Sequence, residues 1–263
     1  MYTHGHHDSV LRSHRSRTAD NSAAYLLPEL EPGLRLCDVG CGPGTITRDL
    51  ARLVAPGRVV AVDAAAGILD EARATCEQAG VDNVEFHQAD AESLPFDDGS
   101  FDVVHVHQVL QHVAHPVAVL GEMGRVCRAG GIVAAREGDY HGEAWWPREP
   151  MLERWLELYT AVARANGGEP DAGRRLASWA REAGFSKIRS TASVWLASTP
   201  ETCHWWADLW AERTTASSFG ARAVELGLSD SEELTRIADG WRRWAAAPDA
   251  WLAFLHAEIL AEA

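Results

Sequence analysis

Leu34-Arg-Leu-Cys-Asp-Val-Gly-Cys-Gly-Pro-Gly-Thr-Ile-Thr47 is the stretch that decides the fold. Leu34–Val39 is a short apolar run, and Thr45–Val54 has the spacing of an amphipathic helix. Between them, glycines stand at 40, 42 and 44. A strand passing into a helix through such a turn lets a ligand approach bare backbone, with the N–H groups of the helix start facing it. The spacing is GxGxG. A dinucleotide fingerprint needs its third glycine at residue 45, which is Thr45, and Asp38 just before the first glycine would repel a pyrophosphate. The turn suits a ligand with an amino group or a ribose and no phosphate.

Working outward, the first half alternates strands and helices. Arg58–Asp63, Asn83–Gln88, Phe101–His107 and Gly131–Arg136 read as strands, with helices over Ile68–Ala79 and Pro116–Cys127. Turn signals at Ala55-Pro-Gly57, Asp97-Asp-Gly-Ser100 and Ala129-Gly-Gly131 separate them. Such βαβ units imply a parallel sheet whose ligand lies at the carboxyl ends of the strands. Asp63 ends the second strand, placed to accept from both hydroxyls of a ribose. Asp90-Ala91 ends the third, where an acid can accept from an adenine amino group.

The second half differs. All 11 Trp lie at or beyond Trp145. Helices are predicted over Met151–Ala165, Arg174–Ala183 and about 200–216 and 230–246. Phe185–Leu196 reads as a strand, and Trp251–Ile259 as strand or helix. The sheet therefore ends in two strands separated by a helical insertion at about 199–248.

Net charge is −14, from 38 acids against 24 bases, which argues against a nucleic-acid partner. No run approaches the ~18 apolar residues of a membrane span. The five cysteines, odd in number and without a CxxC pair, suit a reducing cytoplasm better than a disulfide framework or a structural zinc site. With no apolar leader, the expectation is a cytoplasmic protein. The His-rich start Tyr2–His7 reads as a terminal segment rather than a metal site.

Leu34–Thr47 resembles motif I of the class I S-adenosylmethionine-dependent methyltransferases. Val59-Val-Ala-Val-Asp63, Asp90–Asp102, Val103–Val113 and Arg125–Val133 resemble the motifs that follow, in order. The ensemble is most similar to the quinone-biosynthesis C-methyltransferase branch, over about residues 30–137. The resemblance implies an α/β, doubly wound, mostly parallel seven-stranded sheet of Rossmann-like type with a Trp-rich helical cap. It implies one structural domain, with an N-terminal helical segment (1–29) over the cofactor site. A cofactor core (30–140) follows, then the remaining strands with an acceptor-binding cap (141–263). By the same resemblance Gly40, Gly42 and Gly44 line the methionine and ribose of S-adenosylmethionine. Asp38 holds its ammonium, Asp63 its ribose hydroxyls, and Asp90 and Ala91 its adenine, with His107 beside the methionyl part. Ala64-Ala-Ala66 departs from the family, which often places Ser and a bulky residue there; Ile68 or Leu69 is expected to supply the apolar contact.

Methyl transfer requires alignment, exclusion of water and sometimes removal of a proton. His107, His112 and His141 are the candidate catalytic bases, with Glu137 and Glu143 as alternatives. Arg12, Arg15 and Arg17 either meet the cofactor carboxylate or form a solvated helix face. Trp155 and Trp179 sit on apolar stripes and read as core. Trp145, Trp146, Trp205, Trp206 and Trp210 are candidates for a pocket wall around a small, largely apolar acceptor. A diphosphate-bearing isoprenoid acceptor would also need Mg²⁺ or Arg148, Arg174 and Arg175. The transfer is expected to carbon or oxygen, with no metal ligand set assigned. The competing readings are an NAD-type oxidoreductase and a non-catalytic cofactor-binding regulatory module.

Overall fold

The computed structural model describes residues 8–263. The Tyr2–His7 segment lies outside them. Each apolar run of the first half is a strand: β1 (Leu36–Val39), β2 (Val59–Asp63), β3 (Val84–Gln88), β4 (Phe101–His107) and β5 (Cys127–Gly138). They are parallel, in the order β3-β2-β1-β4-β5. The connecting helices are α3 (Thr45–Val54), α4 (Ala66–Gln78) and α5 (Pro116–Val126), preceded by α1 (Asp8–Arg15) and α2 (Ala19–Ser22).

Trp251–Glu262, open between strand and helix in the sequence, is the strand β8. Its side chains alternate buried and partly buried, and it lies between two partners that supply the ladder. It runs antiparallel to β5 on one side and to β7 (Ile188–Ala197) on the other. Its first three residues pair with a short β6 (Ala144–Trp146), which the sequence reading did not contain. The sheet is thus mixed, five parallel strands extended by antiparallel β8, with β7 and β6 on its far side.

The two sheet faces differ. One is covered by α5 and α7 (Ala172–Glu182) and is largely apolar; Val39, Val104, Val106, Val133 and Leu176 belong to its core. The other, under α2 and α3, changes along its length. The register aligns Leu36, Val103 and Ile132 at one end, and Ala134 and Leu260 of the adjoining strands join them in one apolar core. Further along the strands polar side chains take over: Asp38 aligns with His105, and His107 aligns with Arg136, which in turn aligns with Glu258. Because side chains alternate with period two, one face of one sheet carries an apolar floor and then a buried polar stripe.

The second half supplies the cap: α6 (Pro150–Ala165), α8 (Pro200–Ala216), α9 (Ser218–Glu225) and α10 (Ser231–Ala245). The last three form the insertion between β7 and β8. Thr199 and Asp230 cap α8 and α10, accepting from Thr202 N and Glu233 N. The cap core is aromatic. Trp155 packs edge-on against Trp210 (4.5 Å) and Trp241 (4.9 Å), while Tyr140 and Tyr159 lie 4.2 Å apart. Trp179, as its stripe predicts, is buried under the sheet instead, in the core with α5.

Candidate active site

The three motif glycines all have positive φ: +71° at Gly40, +52° at Gly42 and +78° at Gly44. Their surroundings divide them. A Cβ on Gly44 would meet the Ala72 backbone at 2.9 Å, so this glycine permits α3 to pack on α4. One on Gly40 would meet Val109 at 2.2 Å. One on Gly42 would meet nothing within 4 Å, because the backbone there stands bare at a cavity. The turn is pinned to β2 by Gly40 N and Cys41 N, which donate to Val62 O (2.7 and 2.9 Å).

That cavity, of about 390 Å³, lies at the carboxyl edge of β1, β2 and β4. Asp38, Gly40, Gly42, Asp63, Asp90, Ala91, His107 and His112 all line it; Gly44 does not. Asp63 accepts from Gly42 N (3.1 Å) and Ala65 N (3.0 Å), which fixes its carboxylate at the rim. Asp90 accepts from Glu92 N (2.9 Å). Asp38 is buried, and both its oxygens are engaged: His105 Nδ1 donates to one (2.8 Å) and Thr47 Oγ1 to the other (2.6 Å). Anything it offers a ligand comes from the lone pairs those bonds leave. Of the two apolar candidates beside Ala64-Ala-Ala66, Ile68 lines the cavity, whereas Leu69 packs on Cys41 and Ala72.

These features fit S-adenosylmethionine. Bare backbone at Gly42 leaves room for it, the Asp63 carboxylate can accept from its ribose, and Ile68, Ala64 and Ala65 give a flat apolar wall. His107 is buried, and neither ring nitrogen has a hydrogen-bond partner among the described residues. Burial, with Arg17 and Arg136 nearby, holds its pKa well below the ordinary histidine value, so it is neutral at pH 7.

The three candidate bases are not brought together. His112 lines the cofactor cavity and also a narrow void beyond it, of about 30 Å³, walled by Tyr140, Trp206, Trp210 and Phe254. Gln111 Nε2 donates to its ring (3.0 Å), and burial with Arg17 and Arg213 pushes its pKa down to about 3. His141 is exposed, bound through Nδ1 to Asp171 (2.8 Å), and lines neither space. Glu137 accepts from Val109 N, Leu110 N and Gln111 N (2.9, 2.7 and 3.2 Å) and so anchors the loop after β4. Burial outweighs those donors and raises it to about 8. Glu143 is buried behind Trp206 and is likewise raised to about 8.

Among the arginines, Arg12 pairs with Glu212 and Arg15 with Glu71 (2.7 Å). Arg17 instead donates to Gln108 Oε1 and lines the cofactor cavity. Arg148, Arg174 and Arg175 pair with Glu153, Asp139 and Glu169 and line neither space, which removes the diphosphate reading's support. Trp145 packs against the cap core from its edge. Trp146 is 56% exposed, with Nε1 donating to Asp249 (2.8 Å). Trp206 and Trp210, one helical turn apart, face the void together. Sequence reasoning missed Gln108, Trp195, His256 and the Arg136–Glu258 pair. The signal was the alternation of Phe254, His256 and Glu258, legible only once 251–262 is known to be a strand.

A methyltransferase-domain family model matches residues 30–184. An uncharacterized methyltransferase of Schizosaccharomyces pombe is 33% identical over 251 residues, 92% of this chain and 89% of that one. A demethylmenaquinone methyltransferase of Lactococcus lactis is 36% identical over 128 residues, 48% of each chain. Among solved structures, YcgJ of Bacillus subtilis shares the fold with a TM-score of 0.59 at 18% identity, covering 98% of this chain and 99% of that one. The family match sets aside both the oxidoreductase and the non-catalytic reading. The chain belongs to the class I S-adenosylmethionine-dependent methyltransferases.

Proposed function

We propose that this enzyme methylates carbon or oxygen of a small, largely apolar acceptor, with transfer taking place where the cofactor cavity meets the aromatic cap. The observation that carries this is the narrow void between them. It shares His14, Arg17, Gln108 and His112 with the cofactor cavity, and its far wall is Trp206, Trp210, Tyr140 and Phe254. A reacting group there has aromatic faces on one side and the cofactor site on the other. The wall suits an aromatic, quinone-like or isoprenoid-like group, and the net charge of −14 favours a small molecule over nucleic acid.

Bound S-adenosylmethionine supplies an activated methyl group on a sulfonium. The chain's own residues do the rest. Asp63, Asp90 and Ala91 would hold the nucleoside end, Asp38 and Arg17 would meet the ammonium and carboxylate, and Gly42 would leave the space. The buried rings exclude water and align the acceptor. His112, neutral at pH 7 and with its ring already accepting from Gln111 Nε2, contributes by packing beside the reacting group. With its pKa held near 3 it is a weak base, and alignment is its larger contribution.

Trp210→Phe keeps an aromatic ring in the cap but reshapes the wall. S-adenosylhomocysteine affinity should stay at the wild-type value, while acceptor turnover falls about tenfold or the acceptor range widens. Unchanged turnover and range in a folded variant would place the acceptor elsewhere.

A further inference from the structure

The void beside His112 has room for only a few water-sized groups, too few for an aromatic acceptor. A second cavity of about 470 Å³ adjoins it, within the size range of pockets that take small molecules. The two share Ser13, Arg17, Trp195 and Trp206, and Arg17 also lines the cofactor cavity. The second cavity therefore adjoins the place of transfer across Trp195 and Trp206, with Arg17 common to all three spaces.

Its walls are apolar and aromatic: Trp195, Trp206, Leu252 and, towards the mouth, Trp205 and Leu196, which are 39% and 52% exposed. Its floor is the far end of the polar stripe. Arg136 and Glu258 are both buried and paired at 3.2 Å. Thr191 Oγ1 donates to Glu258 (2.7 Å), as does Ser193 Oγ, and the Arg136 guanidinium lies over the Trp195 ring at 5.0 Å. Arg136 Nη1 has no hydrogen-bond partner among the described residues. A buried donor without an acceptor is costly, and a ligand oxygen would relieve it. The charges at the cavity balance, with Arg17 and Arg136 against Asp20 and Glu258. A ligand bringing a net charge to that buried pair would leave it uncompensated.

We infer that this second cavity holds the body of the methyl acceptor, and that the acceptor is a neutral aromatic molecule with a hydroxyl or carbonyl oxygen for the Arg136–Glu258 floor. This rests on the reading of the void beside His112 as the place of transfer. The indole faces take the ring system, and the polar floor fixes its depth. The reacting atom enters the void past Trp195 and Trp206.

The test is equilibrium dialysis of the full chain, saturated with S-adenosylhomocysteine, against 2-naphthol, naphthalene and 2-naphthoate. 2-Naphthol should bind at one site, about tenfold tighter than naphthalene, which lacks the oxygen, or 2-naphthoate, which brings a charge. Trp205→Ala, at the partly exposed mouth, and Ser193→Ala should each weaken 2-naphthol by about tenfold while S-adenosylhomocysteine binds as in wild type. Absence of saturable 2-naphthol binding overturns the proposal, as does 2-naphthoate binding as tightly as 2-naphthol. If 2-naphthol is lost in Trp210→Phe but untouched in Trp205→Ala, the place of transfer stands and this cavity is not the acceptor's seat.

Discussion

The cofactor half and the Trp-rich half build their sites from different materials. In the first, the backbone makes the site: three glycines with positive φ, a turn pinned to β2, and carboxylates at successive strand ends. In the second, side chains make it: rings from α8, β7 and β8 meet over a buried ion pair, though they lie far apart in the chain. A site made of backbone conformation is written in a few adjacent residues. A site made of packing exists only after the chain has folded.

The largest effect expected on the first side of this comparison comes from Gly42→Val. A β-branched residue at φ +52° is strained, and its side chain projects into the cavity, so S-adenosylmethionine affinity should fall on the order of 100-fold. Calorimetric titration of the folded variant checks this. Normal binding would mean that the turn does not touch the cofactor.

On the other side, Trp241→Ala should lower stability by about 3–5 kcal/mol, because Trp241 is fully buried between Trp155, Trp210 and Trp244. Urea denaturation measures it. A loss under about 1 kcal/mol would mean that the cap is not a packed core.

A third effect concerns pH. Glu143 has its pKa raised by burial from 4.5 to about 8. Below 4.5 it is neutral in folded and unfolded chains alike. As pH rises towards 8 the unfolded chain ionises first, so the stability this group contributes is progressively lost. In Glu143→Gln that loss disappears, and the urea midpoint should drop less between pH 5 and pH 8 than in wild type. Parallel behaviour of the two proteins would contradict the burial of this carboxyl.

The same contrast explains what could be read from the sequence. The strands β1 to β5, the Asp63 and Asp90 positions and the α8 and α10 spans were legible because period, glycine spacing and caps are local signals. Gly44 was assigned to the ligand because spacing alone cannot separate a glycine facing a cavity from one facing Ala72. Trp145 and Trp146 looked equivalent to Trp206 and Trp210 because side-chain direction is not written in residue type; β6 turns Trp146 outward against β8. His141 follows β5 in the sequence, but a short helical turn places it against Asp171. The Arg136–Glu258 floor needed the β5–β8 register, which depends on contacts more than 100 residues apart.

The central claim is that the glycine turn and Asp63 hold the cofactor while the Trp-rich cap is concerned with something else. Isothermal titration of S-adenosylhomocysteine into Asp63→Ala, with Trp210→Phe alongside, tests it most directly. Charge-assisted hydrogen bonds are worth about 1.5–3 kcal/mol each, so Asp63→Ala should lose at least ~10-fold in affinity and Trp210→Phe almost nothing. Wild-type affinity in a folded Asp63→Ala variant would contradict the account.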